Sequence, residues 1–261
     1  MPDPKKTKAK NEKRAEPERS SEARPEPTDA VRLEWGRRIH AEYRSAAITH
    51  KLTLWLIQAA VSPDLIHMGL RIVKDELAHA RLSHRVFVAA GGRTLDPLAR
   101  ETLDLSAVGD SLELDIARCG VEVFCLGETV AVPLFKRLRE DCSVKQARAA
   151  LDRILVDEVR HRDFGWTLLA YLLEQPFGPA VRKLVERELP GMFERLAVNY
   201  AGSTRAPAKP APTVRANPAE RAWGLMPSAW YAAALDRTFE RDYRPRFEAL
   251  GIDARRAWPR A

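Results

Sequence analysis

Residues 72–79 read Ile72-Val73-Lys74-Asp75-Glu76-Leu77-Ala78-His79, and residues 154–161 read Ile154-Leu155-Val156-Asp157-Glu158-Val159-Arg160-His161. Around both, apolar residues recur at three- and four-residue steps: Leu65, Met68, Ile72, Leu82 and Val86 in the first region, Val144, Ala147, Leu151, Ile154 and Leu155 in the second. That spacing predicts two long helices with one buried face each. Continuing the first stripe from Ile72 lands on Glu76 and then His79. Continuing the second from Ile154 lands on Glu158 and then His161. Acidic residues number 36 of 261 and histidines 6. Two histidines, each preceded by acids at both i−3 and i−4, would then arise by accident at a frequency on the order of 0.5%.

Two further helices follow from the breakers around these two. One runs from about Val31 to Ala59, capped by Asp29, and Val61-Ser62-Pro63-Asp64 turns the chain into the helix that carries His79. Gly91-Gly92 ends that helix near Ala90. After a longer connection, a third helix runs from Asp110 to about Asp141. Ser143 is the expected N-cap of the fourth, which continues to about Glu174 before Pro176-Phe177-Gly178-Pro179. Short loops within each pair impose antiparallel neighbours, and the longer link permits a crossover. The expectation is an all-α protein with a four-helix bundle over residues 29–175.

Outside it, residues 1–28 are Lys, Glu, Arg, Pro and Ser with almost no aliphatics. They cannot bury enough surface to offset ordering and are expected to be disordered. Residues 176–200 form an additional helix kinked at Pro190. Residues 201–219, with Pro207, Pro210, Pro212 and Pro218, read as a linker. Residues 220–261 hold a last helix, from about Pro227 to Leu250, stopped by Gly251.

The other two long helices carry acids in their stripes as well. The first has Glu42 between Ile39 and Ala46, ahead of Thr49 and Leu56. The third has Leu114, Val121 and Cys125, then Glu128, then Val132 and Phe135. Four carboxylates and two imidazoles therefore point inward. Burying such acids uncompensated costs several kcal/mol each, and the stripes contain no lysine or arginine. A divalent metal is the economical counter-charge. In each predicted hairpin the two glutamates, Glu42 with Glu76 and Glu128 with Glu158, return to a similar height, and each Glu-x-x-His presents an oxygen and a nitrogen on one helix face.

Glu42-Tyr43-Arg44-Ser45, Gly127-Glu128-Thr129 and the two Asp-Glu-x-x-His boxes together resemble the ferritin-like di-iron carboxylate superfamily, and within it bacterial ferritin-like-domain proteins. The resemblance covers residues 31–175, with a looser match over the last helix. It implies that Glu42, Glu76 and His79 bind one iron and Glu128, Glu158 and His161 the other, with Glu76 and Glu158 bridging. Oxygen and nitrogen ligands suit Mn as well as Fe, and zinc would also bind. By the same resemblance Asp157 orients His79 and Asp75 orients His161. The implied function is a di-iron oxidoreductase activating O2 or peroxide on a substrate the sequence does not name. No Cys-x-x-Cys pair of rubredoxin type is present, so electrons come from an external donor or from the substrate.

The alternatives are a ferroxidase or iron-handling protein, an RNA-associated hydroxylase, and a metal-free helical module. The enzyme reading goes with a monomer or homodimer, the storage reading with a large hollow assembly. The net charge of +7 is a weak argument for nucleic acid. Residues 31–200 carry 24 Lys/Arg against 23 Asp/Glu, whereas residues 201–261 carry 11 against 6. The excess is spread along the tail and not gathered on the main domain, which speaks against a nucleic-acid partner. No stretch approaches the roughly 20 apolar residues of a membrane span. The start Met1-Pro2-Asp3-Pro4-Lys5-Lys6 lacks a secretory core, and Cys119, Cys125 and Cys142 fit neither a disulfide framework nor a zinc spacing. The expected compartment is the cytoplasm. His40, His50, His67 and His84 lack an acidic box and are not expected to be ligands.

Overall fold

The computed structural model describes residues 25–109, 111–201 and 217–258, and within these every regular element is helical. The long ones are α1 (Asp29–Gln58), α2 (Pro63–Ala89), α3 (112–140), α4 (Lys145–Glu174) and α5 (Gly178–Ala201). Then follow α6 (Pro218–Ala222), α7 (228–249) and α8 (Ala254–Ala257). A single 3-10 turn, Arg100–Leu103, interrupts the connection from α2 to α3. None of these helices is long and apolar enough to cross a membrane. The expectations for residues 1–24, for the helix start at Asp110, for residues 202–216 of the linker and for the last residues 259–261 fall outside the described residues.

Two helix starts differ from expectation. Thr28, not Asp29, caps α1: its hydroxyl accepts the Val31 N–H at 3.3 Å, while Asp29 pairs with Arg32. Ser143 does not cap α4. The N–H groups of Ser143 and Val144 instead donate to the Ala222 carbonyl at 3.1 and 3.0 Å, so a distant turn satisfies them. Gly91 adopts φ +84 after α2, and Gly251 φ +72 after α7, as stop signals should.

α3 is not uniform. Its middle, Gly120–Glu128, is wound as a π-helix between α-helical Leu112–Cys119 and Thr129–Glu140. The wider turn changes which residues face inward. Val121 and Cys125 are buried as expected, but beyond the π segment the buried residues are Thr129, Val130, Ala131, Leu134 and Leu138, whereas Val132 and Phe135 are only half-buried. A constant period of 3.6 residues does not survive an i→i+5 segment.

α1 packs along α2, α3 along α4, and α2 against α4, which joins the two pairs. α5 lies across α3 and α4, and α7 covers α5 and α3. The C-terminal region is therefore part of the core. Trp223 is fully buried with Trp35, Val86 and Leu151, and Phe239, Tyr243 and Phe247 are buried with Phe193 on α5. The indole N–H of Trp35 donates to the Trp223 carbonyl at 3.0 Å, and that of Trp223 to the Pro25 carbonyl at 2.9 Å.

Two apolar clusters fill the interior. One takes Ile39 of α1, Val86 of α2, Leu138 of α3 and Leu151 of α4; the other takes Leu52, Ile72, Val130 and Phe164 of the same four helices. The predicted ligands fall between these positions on α1, α2 and α4, forming a polar layer between two apolar ones.

Candidate metal centre

Each helix brings its inward acid to that layer. Glu42, Glu76, Glu128 and Glu158 are 7%, 1%, 8% and 3% exposed, and His79 and His161 are fully buried. The structure brings all six together in two groups whose donor atoms lie within 4.8 Å of one another: Glu42, His79 and Glu158, and Glu76, Glu128 and His161. These buried groups could each hold a metal ion.

The grouping crosses the two boxes because Glu76 and Glu158 each reach both imidazoles. Nδ1 of His79 is 3.6 Å from Glu42 Oε2, 3.6 Å from Glu76 Oε2 and 3.8 Å from Glu158 Oε1. Nδ1 of His161 is 3.2 Å from Glu76 Oε1 and 3.8 Å from Glu158 Oε2. One oxygen of each of these two glutamates faces each ring. The rings themselves are 5.7 Å apart, tilted by 35°.

The far nitrogens face aspartates. His79 Nε2 donates to Asp157 Oδ2 at 3.1 Å; His161 Nε2 lies 3.6 Å from Asp75 Oδ2. Two arginines tie these aspartates together. Arg160 Nη2 donates to Asp75 Oδ2 at 3.1 Å and also to Asp157, and Arg153 pairs with Asp157 at 2.6 Å and with Asp75 at 3.4 Å. The ion pairs of Glu42, Glu76 and Glu158, among the described residues, are all to the two histidines.

The protonation of the cluster reflects this crowding. Burial pushes Glu42 up to about 7 and raises Glu128; it pushes Glu158 well above the carboxylate range, with the neighbouring Glu128 adding to the effect. Burial acts against the charged imidazoles, yet the acids around them outweigh it, lifting His79 to about 11 and His161 to about 9. Burial also opposes ionisation of Asp75, but His161 and Arg160 hold it down to about 2. Without a cation the cluster must therefore gather protons.

Several contributors were not legible as such. The Ser45 hydroxyl donates to Glu76 Oε1 at 3.0 Å; its place three residues after Glu42 was the available signal. The Trp166 indole donates to Thr129, the residue after Glu128, at 2.9 Å. Gly165 lets α4 approach the π segment: a Cβ there would meet the Phe124 and Cys125 backbone at 2.7 Å. Contrary to expectation, one arginine of α1 is inward. Arg38 is 7% exposed, one turn before Glu42, and pairs with Glu34 at 3.3 Å. His50, His67 and His84 are exposed and His40 half-buried, all apart from the cluster.

A cavity of about 500 Å³ is lined by all four glutamates. Ser45, Tyr200 of α5 and Tyr231 of α7 also line it, and the two histidines do not. The glutamates thus stand between the imidazoles and a space large enough for a small molecule. In comparisons with known proteins, the chain matches no family model, no curated protein and no solved structure.

Proposed function

We propose that the chain is a ferritin-like four-helix-bundle protein that binds two iron ions, or manganese in their place, through Glu42, Glu76, His79, Glu128, Glu158 and His161, and acts as an oxidoreductase on a substrate held in the adjoining cavity. One observation carries this reading. Glu76 Oε2, Glu158 Oε2 and the Nδ1 atoms of His79 and His161 are buried without a hydrogen-bond partner, and they face one another. Buried polar atoms are almost always satisfied, and these four are of the chemistry that iron and manganese take as ligands.

The surrounding residues suit that role. Asp157 accepts the Nε2–H of His79, which turns Nδ1 toward the glutamates; Asp75 faces His161 Nε2 at 3.6 Å without a hydrogen bond between them. Arg153 and Arg160 pair with both aspartates, and His161 with Arg160 holds Asp75 ionised. Ser45 orients Glu76, and the cavity brings a substrate to the carboxylates. Bound iron would supply redox capacity toward O2 or peroxide. The reducing electrons come from an external donor or the substrate.

The cavity favours an enzyme over an iron store, since storage needs no substrate-sized space beside the carboxylates. Anaerobic addition of Fe(II) followed by air tests the reading. The proposal expects rapid O2 consumption that Glu158→Ala abolishes, by a monomer or dimer in size-exclusion chromatography. Iron retained as a mineral in a large hollow assembly would establish the storage alternative instead.

A further inference from the structure

The cavity has a polar end that the metal ligands do not use. Arg38 lines it, one helical turn from Glu42, about 6 Å along the axis. Its guanidinium is fixed on three sides. Nε donates to Glu34 at 3.3 Å, Nη2 donates to the Gly224 carbonyl at 3.0 Å, and the group lies 4.4 Å from the centre of the Trp35 ring. Nη1 alone is buried with no hydrogen-bond partner. A buried cationic donor left unpaired is costly, and this one is held in place before any ligand arrives.

The charges in the cavity point to the sign of the ligand. Of its acids, Glu34 is paired with Arg38 and Glu122 with Arg195 at 2.5 Å. Two divalent ions would balance the four glutamates of the cluster. That leaves Arg44, exposed, lining the cavity and without an ion-pair partner among the described residues. The wall beyond the glutamates is apolar, with Ile48, Leu134 and Leu196. From Arg38 to Ile48 the helix rises about 15 Å, so the space is elongated.

We propose that this cavity binds an amphipathic monocarboxylate, its carboxylate on Nη1 of Arg38 and its apolar chain running past the four glutamates toward Ile48 and Leu196. The proposal deepens the reading of the metal centre and rests on it, because the charge balance requires the two ions. It makes the substrate class an acid with a carbon chain presented to the centre, with Arg38 setting which carbon lies there.

Decanoate, decanol and decylamine serve as probes, titrated by calorimetry into the metal-loaded full chain, with metal counted in the same samples. Decanoate should bind at least about ten-fold more tightly than either neutral or cationic analogue, the usual margin of a charge-assisted hydrogen bond. Arg38→Met should remove that margin, and Ile48→Trp, which fills the apolar end of the cavity well away from Arg38, should weaken all binding. The comparison of the three probes needs no variant, so it stands even if Arg38→Met fails to fold. Equal affinities for decanoate and decanol, or decanoate binding unchanged in Ile48→Trp, would overturn the proposal. Two metals per chain with no preference for decanoate would overturn this proposal alone; absence of metal from every sample would overturn the reading beneath it.

Discussion

Asp157 Oδ2 lies 3.1 Å from Nε2 of His79, and both residues are completely buried. A carboxylate only accepts, so this contact holds a proton on Nε2 and leaves Nδ1, which faces Glu42, Glu76 and Glu158, as the atom at which a metal would displace the second imidazole proton. Replacing Asp157 by Asn keeps the volume but lets the amide present either its N–H or its oxygen. Metal affinity should fall about 10- to 100-fold in Asp157→Asn, measured by competition with a chelator, while circular dichroism shows an unchanged helix content.

Proton and metal compete for the same atoms. His79 and His161, lifted to about 11 and about 9 in the metal-free protein, bind more protons folded than unfolded. Their stabilisation is complete below their ordinary value of 6.5 and is lost as pH rises through 9 and 11. Glu42, pushed up to about 7, has the same sign: its ionisation opposes folding increasingly as pH rises from 4.5 to 7. The melting temperature of chelator-treated protein should therefore fall between pH 5 and 9. Metal-loaded protein should be far less sensitive, so the shift produced by metal should grow with pH. Differential scanning calorimetry with and without chelator reads both.

Gly165 is where α4 touches the π-helical part of α3. Alanine there would place its Cβ 2.5 Å from the Phe124 Cβ and 2.7 Å from backbone atoms, contacts that cannot be relieved by a side-chain rotation. Gly165→Ala should destabilise by about 1–3 kcal/mol and lower metal occupancy, because Glu128 ends the displaced segment. A nearby control is Thr167→Ala on the exposed face of α4, whose occupancy should match the wild type; metal analysis and urea unfolding compare the two.

Trp223 follows the five long helices α1 to α5 in sequence yet is fully buried with Trp35 and Leu151. Trp223→Ala should cost about 3–5 kcal/mol, read as a lower urea midpoint. A wild-type midpoint would show that the C-terminal region packs only loosely.

Much of this was readable in the residues. The stripes through Ile72 and Ile154 located two long helices, and their interruption by Glu76, His79, Glu158 and His161 located the polar layer. Other features depended on contacts remote in sequence. The Ala222 carbonyl anchors the start of α4 through the N–H groups of Ser143 and Val144, where a Ser143 side-chain cap was expected. The π segment at Gly120–Glu128 shifts burial from Val132 and Phe135 to Leu134 and Leu138, and no local propensity announces it. Arg38 lies on the same turn-by-turn row as Glu42, but its burial depends on Gly224 and Trp35 accepting the guanidinium. The pairing of Glu158 with His79, and of Glu76 with His161, emerges only when α2 and α4 face each other.

Metal content per chain of anaerobically purified protein is the most direct check. About two ions should be recovered from the wild type, and Glu76→Ala and His161→Ala should lose one or both while remaining helical. A wild-type chain that is folded but stays metal-free in excess Fe(II) or Mn(II), or variants that retain full occupancy, would contradict a dinuclear centre at this layer.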